Sequence, residues 1–199
     1  MTPDRLRAAL EGVPDPDWLD TALRRVAVEP STIALCFPAA GRRCGRGALP
    51  GAPGWTADEA ARALLLAALP ADHATHAEAL YRHGDAAERR AVLKALPLLP
   101  IGAAGLPLLH DAIRTNDTRL VAAALGPYAR HLDDAAWRQA VLKCVFVGVP
   151  LVAVADLDTR ADGELAAMLA ALAAERHAAG RQLPADATDL LDRLTVREA

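Results

Sequence analysis

Lysine is almost missing from this sequence: Lys94 and Lys143 are the only two in 199 residues, against 20 arginines. A genomic base bias produces such a skew without altering a fold, but it singles out both lysine positions. Aromatic residues make up only 4%, so a core must be built from Leu, Val and Ala. The three cysteines, Cys36, Cys44 and Cys144, are odd in number and not closely paired. That makes a poor disulfide framework, and the Cys36–Cys44 step misses the usual zinc spacings. A reducing, cytoplasmic compartment is expected. The longest apolar run, Cys144 to Ala155, has twelve residues; a membrane-spanning helix needs about 20. Met1 to Leu10 contains no apolar stretch of the secretory kind. Basic excess is absent too: the net charge is -3, which argues against a dedicated nucleic-acid binder.

What is present is helix-forming sequence. Hydrophobic residues reach 53%, enough to rule out a mainly disordered chain, and Ala and Leu dominate. Residues 4–28 read as one or two short helices interrupted at Pro14 and Pro16. Residues 37–54, FPAAGRRCGRGALPGAPG, read as a Gly/Pro/Arg-rich loop or linker. They would separate an N-terminal helical arm (1–36) from a main body (55–199). In the body, Thr56 with Glu59 and Asp85 with Glu88 have capping-box spacing. Pro97 ends the helix that follows Asp85. Asp133-Asp134 opens another helix, with Trp137, Val141, Cys144 and Val145 along one side. Two helical segments meet at Gly148–Pro150. Asp162 caps a long helix that Gly180 ends, and Pro184 starts the last one.

Residues 85–94 (DAAERRAVLK) are echoed at 134–143 (DAAWRQAVLK), with eight of ten positions identical at an offset of 49. Both lysines of the chain fall at the same place in the echo. The period is close to that of HEAT and armadillo helix pairs, roughly 40–47 residues. The expected fold is therefore all-α, a helical-repeat stack of helix pairs without significant sheet.

Motifs for familiar chemistry are missing. There is no P-loop or dinucleotide pattern and no G-x-S-x-G elbow. His73 and His76 are three apart on a helix but lack further ligands, so no metal is expected. Asp133-Asp134 resembles half of a terpenoid-type magnesium motif, but Trp137 stands where a carboxylate is needed and no second acidic motif appears. No cofactor is expected. What remains is a polar set in the C-terminal half. Its candidate ligand-binding residues are Arg114, Asn116, Tyr128, Trp137, Lys143, Asp158 and Arg160, with Gln139, His131, Glu175 and Arg176 nearby. Lys143 lies inside an apolar sequence, so its stem is expected to be buried and its head turned to a cleft.

The motifs AVLKALPLLP (91–100), RTND (114–117), Gly126-Pro127-Tyr128, HLDDAAWRQAVLKCVFVGVPL (131–151) and DLDTRADGELAAMLAALAAERHAAGR (156–181) occur in order. Together they resemble the EboA family over roughly residues 55–184, with departures at Gly126-Pro127, Arg138 and His177. The resemblance implies a bacterial protein from an Ebo-type gene cluster concerned with making or moving specialised metabolites. It also implies a partner from that cluster or a small-molecule metabolite, and allows docking to a membrane prenyltransferase. Two functions stand side by side. One is a non-catalytic helical-repeat protein that binds a partner or metabolite, with Arg114, Lys143 and Arg160 meeting a carboxylate or phosphate. The other is an enzyme using Asp158 or His131 as acid/base and Lys143 or Arg114 as charge stabiliser. Nucleic acid is not an expected partner.

Overall fold

The computed structural model describes residues 1–198. Among them it contains twelve α-helices and no sheet, so the fold is all-α. The chain divides into two compact units, Met1–Leu108 and Leu109–Ala199.

The first unit holds α1 (Pro3–Ala9), α2 (Pro16–Val28), α3 (Ile33–Arg43), α4 (Ala57–Ala67), α5 (His73–His83) and α6 (Ala86–Ala95). It is organised around α4, which packs against α1, α2, α3, α5 and α6. Residues 57–66 of α4 are all buried. A helix covered on every side is normally apolar all round. This one is mostly Ala and Leu, but it also carries Asp58, Glu59 and Arg62 at 3%, 2% and 1% exposure. They are paired internally. Arg62 Nη1 pairs with Asp58 Oδ2 at 2.5 Å, and its Nε donates to the Phe37 carbonyl at 3.0 Å. Glu59 pairs with Arg90 at 2.5 Å and with Lys94, and accepts the Thr56 amide at 3.0 Å.

Residues 37–54, read from sequence as loop or linker, take a different form. Residues 37–43 continue α3 as helix, with Pro38 inside it. Phe37 and Ala40 are buried on that helix, which supplies the apolar contact that composition did not reveal. The remainder is a turn held by an isolated bridge between Ala48 and Thr56, with Leu49 and Ala52 buried. Lys94 fastens it from α6: Nζ donates to the Gly54 carbonyl at 2.6 Å and lies 4.4 Å from the Trp55 ring centroid.

The division between the units falls within α7 (Leu106–Arg114). The second unit continues with α8 (Thr118–Ala124), α9 (Asp134–Val147), α10 (Leu157–Arg160), α11 (Gly163–Ala178) and α12 (Ala185–Glu198). Here α9 packs against α8 and α11, and α11 against α12. The start and stop signals act as their chemistry requires. Asp133 and Asp162 accept from the amides of Ala136 and Leu165 at 2.7 and 3.1 Å, each satisfying an orphan donor of its helix. Gly148 closes α9 in the left-handed region at φ 80.

The echoed segments become α6 and α9, but not in the same register. Asp85 caps α6, whereas the aligned Asp134 is the first helical residue of α9 and Asp133 is the cap. Burial diverges as well. Leu93 is 1% exposed, while its counterpart Leu142 is only half-buried.

Candidate functional site

In α9, the positions Trp137, Ala140, Val141, Cys144 and Val145 face the core. The positions left over, Ala136, Gln139, Lys143 and Phe146, recur at three- and four-residue steps and form a second stripe. From α7 come His110, Ile113 and Arg114, again one face. From α11 come Leu172 and Glu175, three residues apart. These side chains line an open cleft of about 700 Å³, whose floor includes Ala140 and Leu142. That volume lies in the range of small-molecule sites, roughly 300–1,000 Å³.

The cleft is mixed in character. Ile113, Leu142 and Leu172 supply apolar wall, and Phe146 stands 68% exposed at its edge. Two cations face it. Arg114 pairs with Asp111 at 3.4 Å from a side chain 71% exposed, a loose surface contact. Lys143 is half-buried, and Nζ donates to Asn116 Oδ1 at 3.5 Å. No carboxylate pairs with Lys143 among the described residues. The cleft edge is fixed from α11: Arg176 Nη2 donates to the carbonyls of Val145 and Phe146 at 3.1 and 3.3 Å. These are orphan acceptors in the last turn of α9, so Arg176 holds the backbone of the residue that presents the Phe146 ring.

The seven candidate residues separate into three places. Arg114 and Lys143 line the cleft, and Asn116 joins them as the hydrogen-bond acceptor of Lys143. Trp137, Tyr128 and Arg160 do not line it. Trp137 is buried at 1% exposure and Tyr128 at 2%. The Arg160 guanidinium lies 4.7 Å from the Trp137 ring centroid. It donates to the carbonyls of Ala129 and Leu132 at 3.0 Å each and to Asp134 at 2.8 Å. Those bonds tie α10 to the turn before α9 and to its first residue. Arg160 is thus engaged by the fold through three hydrogen bonds, which a one-dimensional reading of its charge does not reveal. Asp158 lies in a separate hollow of about 530 Å³ with Asp156, Asp186, Asp189 and Arg193. Arg193 pairs with it at 3.3 Å. Asp158 and Lys143 therefore line different hollows. The Tyr128 and His131 rings lie 4.7 Å apart.

Phe146, His110 and Ile113 are not singled out by the sequence, and Leu172 reads there as part of the apolar stripe of its helix with Leu165 and Leu169. The signal was available for Phe146: it follows Gln139 by seven and Lys143 by three, the spacing of one helix face. The departures from the family pattern have local accounts where side chains meet. Arg138 forms a two-pronged pair with Asp162, whose carboxyl is held below its ordinary value mainly by that hydrogen bond. Among the described residues, no group of three or more His, Cys, Asp or Glu is placed to hold a metal ion. No helix there is long and apolar enough to cross a membrane.

Fold and cleft define an all-helical protein with a small-molecule-sized recess in its second unit. Residues 41–192 match the family described as metabolite traffic protein EboA, and the chain belongs to that family. No curated protein and no solved structure matches the chain.

Proposed function

We propose that the protein is a non-catalytic binding protein in metabolite traffic, and that the cleft of α7, α9 and α11 holds a small metabolite. The observation that carries this is the cleft itself: apolar wall, an exposed Phe146 and a Lys143 ammonium that no carboxylate pairs among the described residues meet in one recess. A site that combines mostly apolar lining with a few convergent polar groups suits a small organic ligand. The family description, metabolite traffic, supports the same reading.

Native mass spectrometry of protein purified gently from its host tests it. The native mass is expected to exceed that of the denatured chain by a small-molecule increment. Ala136→Trp, which fills the cleft from a half-buried position, is expected to lose that increment. A bare wild-type chain, or one carrying only a second polypeptide, would count against the proposal and favour a scaffold for a protein partner.

A further inference from the structure

The two lysines of this chain occupy the same position in the echoed decapeptide, yet only one of them is spoken for. Lys94 is surrounded: it pairs with Glu59, donates to the Gly54 carbonyl and lies over Trp55. Lys143 carries the same three N–H donors, but among the described residues its one hydrogen bond goes to the Asn116 amide oxygen at 3.5 Å, the limit of such a bond. The residue is half-buried and lines the cleft together with Leu142 and Phe146. A half-buried lysine with donors to spare fits an anionic acceptor.

The charges around it limit how much negative charge that acceptor brings. Among the lining residues Lys143 and Arg114 are cationic and Glu175 is anionic, and Arg114 is in addition loosely paired with Asp111. The local balance is therefore at most one positive charge, which complements a single negative charge and no more. A di- or triphosphate would meet Glu175 as a like charge, which is costly where water is partly excluded. The apolar side of the ligand follows from Phe146. The chain has two phenylalanines; Phe37 is buried at 1% exposure, while Phe146 is 68% exposed. Phe146 and Lys143 are three residues apart on α9, so their side chains are neighbours, with Cβ atoms about 5–6 Å apart. One short molecule can meet both.

We infer that the cleft takes an amphipathic monoanion: a small organic acid whose carboxylate meets Lys143 Nζ and whose apolar body lies on Phe146, Ile113 and Leu172. This rests on the cleft being the metabolite site, and it adds the ligand's charge and shape.

Three probes of one size and three charges test it: 4-phenylbutyrate, 4-phenylbutanol and 4-phenylbutylamine, added to the full chain at pH 7. Saturation-transfer NMR and calorimetry read the binding. The acid is expected to bind about tenfold more tightly than the alcohol, the scale of one charge-assisted hydrogen bond. The amine is expected to bind weakest. Lys143→Gln should erase the preference for the acid while leaving the alcohol unchanged, and Lys143→Arg should keep most of it. Phe146→Ala should weaken acid and alcohol alike. Equal binding of acid and alcohol, or tightest binding of the amine, overturns the monoanion while the cleft reading stands, provided Ala136→Trp abolishes the binding. If none of the three binds, the inference also falls. The mass carried by host-purified protein then judges the cleft reading independently.

Discussion

Arg62 is 1% exposed and reaches three groups at once. It pairs with Asp58, donates to the Phe37 carbonyl and approaches Glu88 at 3.8 Å, with the Phe37 ring 5.5 Å away. Two buried charges attract strongly, but each has lost its water, so their net contribution is small while both remain. Removing one partner is another matter, because the other charge is then buried alone. Arg62→Ala is expected to cost about 3–5 kcal/mol, a large part of a total near 5–15 kcal/mol. Asp58→Ala/Arg62→Ala together should recover part of that loss. Urea unfolding checks both; a single-variant loss below about 1 kcal/mol would show that Asp58 finds water or another partner. None of this was visible in the sequence. Asp58 and Arg62 stand four apart on a helix, which reads equally well as an exposed surface pair. Only the helices packed around α4 make the pair internal.

At the scale of the element, α9 shows how much a periodic sequence says. Its cap, its buried stripe and its glycine stop were all legible, because each depends on residues within a few positions of each other. Asp133 accepts an orphan amide, and Gly148 adopts a conformation that costs other residues steric strain. Gly148→Ala tests the second point cleanly. A Cβ there would meet nothing within 4 Å, so only backbone strain opposes it. The expected loss is about 1 kcal/mol, measured by thermal or urea unfolding. A neutral result would mean that the end of α9 re-forms without the left-handed residue. The opposite face of α9 was only half legible. Lys143 reads from sequence as turned toward a cleft and lines the recess of α7, α9 and α11, but Phe146 is hidden inside a Val-rich run that reads as uniformly apolar.

For the whole molecule, burial of the thiols sets how stability responds to alkali. Desolvation pushes Cys144 up to about 12; Cys44 is raised to about 11, by desolvation first and then by Asp15 and Asp58. Their ordinary value is 9.0. Above that pH the unfolded chain loses thiol protons that the folded chain keeps. The stabilising contribution is therefore complete below pH 9 and falls as pH rises toward the folded values, by about 1.4 kcal/mol per thiol per pH unit. Lys94 works the other way: burial holds it below its ordinary 10.5, so its charged form is disfavoured in the fold and stability gains as it deprotonates. Comparing the wild type with Cys44→Ala/Cys144→Ala in urea from pH 8 to 10.5 isolates the thiols. The variant should start less stable and show a shallower alkaline decline. Parallel curves would mean that the thiols ionise alike in both states.

The sequence by itself determined the helices and most of their ends, because caps, proline stops and apolar stripes act over one or two turns. It also determined the all-α class and the family, since neither depends on knowing which elements meet. Tertiary structure decided which charges are used internally and which are left over. Arg160 and Lys94 are both cationic residues near apolar sequence, like Lys143 and Arg114. Their partners lie 26 to 40 residues away. Whether a cation is a clamp or is available to a ligand depends on what the packing brings beside it, and two nearly identical decapeptides gave their lysines opposite answers.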